Sequence, residues 1–348
     1  MKKIISVIVF FVLLTICAYA QLENETQTMT ELSGELAPYA ESAVSGKPFF
    51  REVWDYTSDL FFKEFKNISR NLPSLIVLMI LFSLKNCIQA EKGIDQIISL
   101  SCICGVVILT SNVVETIFDT ARNVCEALGT FVFTAIPCMC GAVAMSGMPV
   151  SAAKGAFIIL GASNIFSLLI NKIFFPCLYI VYILSVSTAM IENDIFESLK
   201  KTVMNIMKIS LPFFCGIFTA ILSVFMKTSG KADNFAVKSA KMTIGNLVPV
   251  LGSVLSDSAE VVVSSLGHIK AQLGIIGIFG LLSVLLLPII KILCTAFMFK
   301  ILEILCCFLS DEKSQKFYSE ISETVCTLGG IVGAMAVMTL IGILILMG

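Results

Sequence analysis

The chain is poor in charge and nearly without histidine. Only 14% of its 348 residues are Asp, Glu, Lys or Arg, against 57% hydrophobic, whereas soluble domains carry about 25% charged residues. A water-soluble globular fold is thereby excluded, and a polytopic membrane protein expected. The single histidine, His268, argues against a mixed Cys/His zinc site and reads as an interfacial polar residue. A net charge of −1 and a pI near 6.0 leave no basic footprint for nucleic acid. There is no Walker glycine loop, no dinucleotide fingerprint after a strand and no metalloprotease helix. An energised pump would therefore need a partner for its nucleotide. No catalytic residue, metal or cofactor is expected.

Cysteine, by contrast, is plentiful at 13 residues. Cys102/Cys104, Cys138/Cys140 and Cys306/Cys307 are close pairs, but none has the C-x-x-C spacing and all lie in apolar runs. They read as small, buried, apolar-behaving side chains.

Residues 1–20 have the form of a secretory signal. Lys2 and Lys3 are the positive region, Ile4 to Ile16 the apolar core, and Ala18-Tyr19-Ala20 the cleavage pattern. Residues 21–71 form an exported polar segment, acidic at Glu23, Glu25, Glu31, Glu35 and Glu41. From Pro48 onward Phe49, Phe50, Trp54, Phe61, Phe62 and Phe65 recur among charges at helical spacing. This pattern fits an amphipathic helix at the membrane surface, or equally a docking face for an extracytoplasmic partner.

Residues 72–348 read as the multi-pass domain. Charge-free windows lie at 96–114, 127–153, 155–171, 173–191, 209–226, 271–290 and 324–348, with 72–90 a weaker candidate holding Lys85. Each approaches the ~20 residues that cross ~30 Å of hydrocarbon. The expected fold is all-α: a membrane helix bundle of about eight spans with broken or re-entrant helices. Eight spans after an exported N-terminus would put Lys200, Lys201, Lys208, Lys300 and Lys316 inside and Arg122 and Lys172 outside. Pro137, Pro176, Pro212 and Pro288 interrupt apolar runs. The broken regions 137–153 and 245–260 allow two halves of an inverted repeat, or simple proline kinks. Gly329 and Gly333 make a small-xxx-small pattern for close helix approach, within the chain or between copies.

The stretch Gly245–Gly267, GNLVPVLGSVLSDSAEVVVSSLG, stands apart. It is apolar, yet Gly245, Pro249 and Gly252 break it and Asp257 and Glu260 follow. An ionised group at bilayer depth costs about 2.5–3.5 kcal/mol even on lenient scales. Wound as a helix, it puts Asn246, Ser253, Ser256, Asp257, Glu260 and Ser264 on one side. That side is either the wall of an aqueous path, where the carboxylates attract cations or carry protons, or a wetted face of an amphipathic or re-entrant element.

KSAKMTIGNLVPVLGSVLSDSAEVV, from Lys238 to Val262, resembles the hallmark region of the stage III sporulation protein AE family of endospore-forming bacteria. The likeness continues in LGIIGIFGLLSVLLLPIIK (273–291) and in IPCMCGAVAMSGMPVSAAKG (136–155), departing at Cys138–Cys140 and Lys154-Gly155. The resemblance implies a non-enzymatic component of a secretion-like channel complex between mother cell and forespore, in the mother-cell membrane around the forespore. It implies as partners the other stage III A proteins, one a secretion-type ATPase, and the forespore's stage II Q protein. Gly245, Asn246, Pro249, Gly252, Ser253, Asp257 and Glu260 would then line or gate the conduit. The alternative is a stand-alone ion-coupled secondary transporter with its site at 245–267.

Overall fold

In a computed structural model of the chain, the described residues are helical apart from short turns, and no strand occurs among them. These residues are 36, 38–39, 50–70, 72–83, 92–146, 148–191, 194–247, 252–308 and 312–347; side chains within 225–271 lie outside the description. The expected signal at 1–20, and much of the exported segment, also lie outside it.

Helix α1 is Phe50–Ser69 and α2 is Leu72–Ser83. At 12 residues, α2 is about 18 Å long, too short to cross a bilayer; the rest of its window, 84–90, lies outside the described residues. Helix α3 follows as Lys92–Met145, 54 residues or about 81 Å of continuous helix. Helix α4, Pro149–Leu169, runs through a π turn at Ile170–Phe174 into α5, Phe175–Met190. Helices α6 (Asp194–Leu247), α7 (Gly252–Phe308) and α8 (Glu312–Met347) complete the bundle.

Five of these rods are long and apolar enough to cross a membrane: Ile103–Met145, Pro149–Met190, Asp194–Ile221, Gln272–Phe308 and Lys313–Met347. The eight windows cut at charges therefore fall on fewer helices. Windows 96–114 and 127–153 share α3, and 155–171 and 173–191 share the rod 149–190. Glu115, Asp119, Arg122 and Glu126 interrupt the apolar run of α3 without ending the helix.

Most of the suspected breakers are likewise absorbed. Pro137, Pro212 and Pro288 lie inside α3, α6 and α7. Pro176 sits in the first turn of α5, directly after the π turn, where widened hydrogen bonding accommodates the missing N–H. The real turn is at Ser146–Met148: Met148 leaves the helical region at φ −120°, ψ 55°, and Pro149 opens α4, where its absent N–H costs nothing. Ile191, extended at φ −125°, ψ 112°, makes the next turn, and Asp194 and Glu197 in the first turn of α6 suit the positive helix end.

Helix α8 is the central rod. Phe317, Tyr318, Ile321, Val325, Leu328, Val332 and Met335 are all buried, at the three- and four-residue steps of a helix face. Against it, Ser322 Oγ donates to the Ala296 carbonyl of α7 at 3.1 Å, and Gly274 of α7 approaches Met347. Helix α7 thus descends as α8 rises. Val132, Ile159, Phe166, Phe218, Met335, Met338 and Thr339 surround one small cavity, which sets α3, α4, α6 and α8 at a common level. That level lies inside the charge-free runs of all four helices. It is the mid-depth of the bundle.

Outside the core, Tyr39 lies 6.0 Å from Tyr56 of α1, and Phe65 of α1 lies 6.2 Å from Phe297 of α7. Trp54 and Phe62 on α1 remain exposed.

Candidate functional site

Two features compete for a functional role: the Gly245–Gly267 stretch and a belt of charges at one level of the bundle.

Gly245 and Asn246 fall in the last turn of α6, and Gly252 opens α7, with Ser253, Asp257 and Glu260 following on the same helix. Pro249 lies within 248–251, outside the described residues. Leu247 is 29 residues past the mid-depth Phe218, about 44 Å along the helix axis, whereas half the hydrocarbon thickness is about 15 Å. Asp257 and Glu260 precede Gly274, the neighbour of Met347, by 17 and 14 residues. Along their helix axes, the end of α6 at Leu247 and the start of α7 at Gly252 therefore lie beyond the charge-free runs.

The belt lies the other way along the same helices. Lys200 of α6 and Glu320 of α8 form an ion pair with side chains only 8% and 10% exposed. Thr188 of α5 donates to Glu320 at 3.2 Å, so three helices meet on one carboxylate. A cavity of about 50 Å³ beside them is walled by Val181, Ser185, Asn205 and Thr324 among others. Glu197 accepts from Lys201 at 2.7 Å and from Lys316 at 2.5 Å, and Lys208 pairs with Glu323. The partners ascend in the same order on both helices, 197–200–208 against 316–320–323, because α6 and α8 run parallel.

Arg122 of α3 lies 5.8 Å over the ring of Phe175. Phe174, Lys208 and Glu323 line one groove of about 330 Å³. Arg122 therefore lies beside Lys172, which is 16 residues, about 24 Å along the rod, from Thr188 of the belt.

The belt can hold helices in register and keep charge neutral at the edge of the apolar core. Among the described residues no three potential metal ligands gather. The sequence alone places Lys200 on the inside face and does not pair it with Glu320. The signal was present in charges at 197, 200 and 201 and at 316, 320 and 323, each set at helical spacing beside an apolar run.

The packing pair separates. A Cβ at Gly329 would sit 3.2 Å from Ile292 Cγ2, whereas one at Gly333 would meet nothing within 4 Å. Gly329 therefore serves the approach of α8 to α7 within one chain.

A sequence profile of the family described as stage III sporulation protein AE matches residues 39–348. The chain belongs to the stage III sporulation protein AE family. All eight helices fall inside the match. Stage III sporulation protein AE of Bacillus subtilis (strain 168) is 28% identical over 285 residues, covering 78% of this chain and 71% of that protein. No solved structure matches. The match covers both the junction of α6 and α7, where the resemblance at 238–262 was drawn, and the belt at 197–208 and 316–323.

Proposed function

We propose that the chain is a non-enzymatic, multi-pass core component of a secretion-like conduit between mother cell and forespore, in the mother-cell membrane around the forespore. The observation that carries this reading is the family match over 39–348 on a chain whose described residues include five helices long and apolar enough to cross a membrane. Its partners in this reading are the other stage III A proteins, including a secretion-type ATPase, and the forespore's stage II Q protein. A nucleotide site on another subunit suits a chain whose sequence has no Walker loop.

Within that assembly the junction of α6 and α7 acts as a gate or docking element at the conduit's mouth. Its position along the helices, past the charge-free depth, supports a mouth over a mid-membrane constriction. Asp257 and Glu260, three residues apart on one helix, share a face and supply its negative charge.

The test is the Asp257→Asn/Glu260→Gln double variant. Forespore development is expected to fail while the protein reaches its normal level in the membrane. Normal spores from the double variant would remove these carboxylates from the mechanism.

A further inference from the structure

Between Asn112 and Thr134 the exposed face of α3 is mostly polar, whereas α4 exposes Phe157, Ile165 and Leu168 and α6 exposes Phe213, Ile217 and Ile221. Asn112, Glu115, Thr116, Asp119, Arg122, Asn123, Glu126, Thr130 and Thr134 are all exposed. Their spacing of three and four residues makes one stripe, about 33 Å long over 22 residues. The opposite face, with Val114, Phe118, Ala121, Cys125, Leu128 and Val132, is buried in the bundle.

The depth of this stripe is set by Val132, at the mid-level cavity with Ile159, Phe218 and Thr339. Thr130 and Thr134 flank that level. Glu126 and Asn123 lie six and nine residues from Val132, about 9 and 14 Å along the axis, inside the ~15 Å half-thickness of the hydrocarbon core. At the same depth α4, α6, α7 and α8 offer the charge-free runs 155–171, 209–226, 271–290 and 324–348.

The threonines settle their own hydroxyls: Thr130 donates to the Glu126 carbonyl at 3.1 Å and Thr134 to the Thr130 carbonyl at 3.0 Å. Glu126 and Asn123 have no such local solution. Among the described residues no ion pair reaches Glu115, Asp119 or Glu126. A carboxylate and a carboxamide facing lipid at this depth are costly, and such residues turn toward protein or enclosed water.

We propose that this face of α3 is the contact between two copies of the chain, with water enclosed along its polar centre. The charge order supports a second copy as the partner. Arg122 stands between Asp119 and Glu126, three and four residues away, so on a parallel neighbour an offset of about 5–6 Å brings each arginine to the other chain's acid. Lipid supplies no partner for the Glu126 carboxylate at this depth. The inference does not depend on what the complex transports.

The experiment places a photo-crosslinking amino acid at Asn123, Thr130 or Thr134, with Phe157, an exposed apolar residue of α4, as control. The full chain is irradiated in native membranes. Adducts of twice the chain's mass are expected from the α3 positions and at least tenfold less from Phe157. Adducts only to lipid from Thr130 and Thr134, or only to a protein of another mass, would overturn the proposal. A second measurement guards against misfolding. Arg122→Glu should cut the dimer adduct severalfold, and co-expression with a Glu126→Arg chain should restore a mixed adduct. No change with Arg122→Glu would remove the charge pairing.

Discussion

Lys200 and Glu320 meet almost wholly out of solvent, 8% and 10% exposed at their side chains, and tie α6 to the central α8. With Thr188 also donating to Glu320, this is the one place among the described residues where α5, α6 and α8 share a single carboxylate. Removing one charge strands the other in a buried setting. Lys200→Met or Glu320→Leu alone is expected to cost about 3–5 kcal/mol, whereas the double variant should regain most of that loss. Unfolding of the purified protein in mild detergent, analysed as a double-mutant cycle, reads this out; equal and additive losses would refute it.

The neighbouring network should behave differently. Glu197 holds Lys201 and Lys316 at the bundle surface, with the lysines 67% and 50% exposed. Screened pairs of this kind are worth at most about 1 kcal/mol. Glu197→Gln is expected to move the unfolding midpoint little, and still less in 1 M salt than in 50 mM. A loss as large as that of the Lys200 variants would mean the belt acts as one cooperative unit.

The two glycines of α8 give a third contrast. At Gly329 the Ile292 methyl stands 3.2 Å from where a Cβ would go, and at Gly333 there is open space. Gly329→Val should cost about 1–3 kcal/mol through overpacking, with Ile292→Ala relieving it. Gly333→Ala should fall within about 0.5 kcal/mol of wild type. Thermal unfolding of the three variants decides the point.

The class of fold was legible in composition alone, because 57% hydrophobic and 14% charged residues leave only a bilayer to live in. The number of rods was not. Glu115, Asp119, Arg122 and Glu126 look like a loop between spans when charge is read one residue at a time. Their spacing puts them on one face of α3, whose other face carries Phe118, Cys125 and Leu128 into the core. Family membership was readable from 238–262, where Pro and Gly in an apolar run, followed by Asp257 and Glu260, make an uncommon pattern. Lys200 and Glu320 were not readable as a pair: 120 residues separate them, and only the parallel course of α6 and α8 brings them together.

In the proposed reading this chain works as a part of an assembly and not alone. The most direct test of that reading is affinity purification of the full chain from sporulating cells, with solute uptake measured on the purified chain in sealed vesicles. The account predicts co-purification with a secretion-type ATPase and other stage III A proteins, and no uptake by the chain alone. A chain that purifies without partners and drives ion-coupled uptake in vesicles would contradict it.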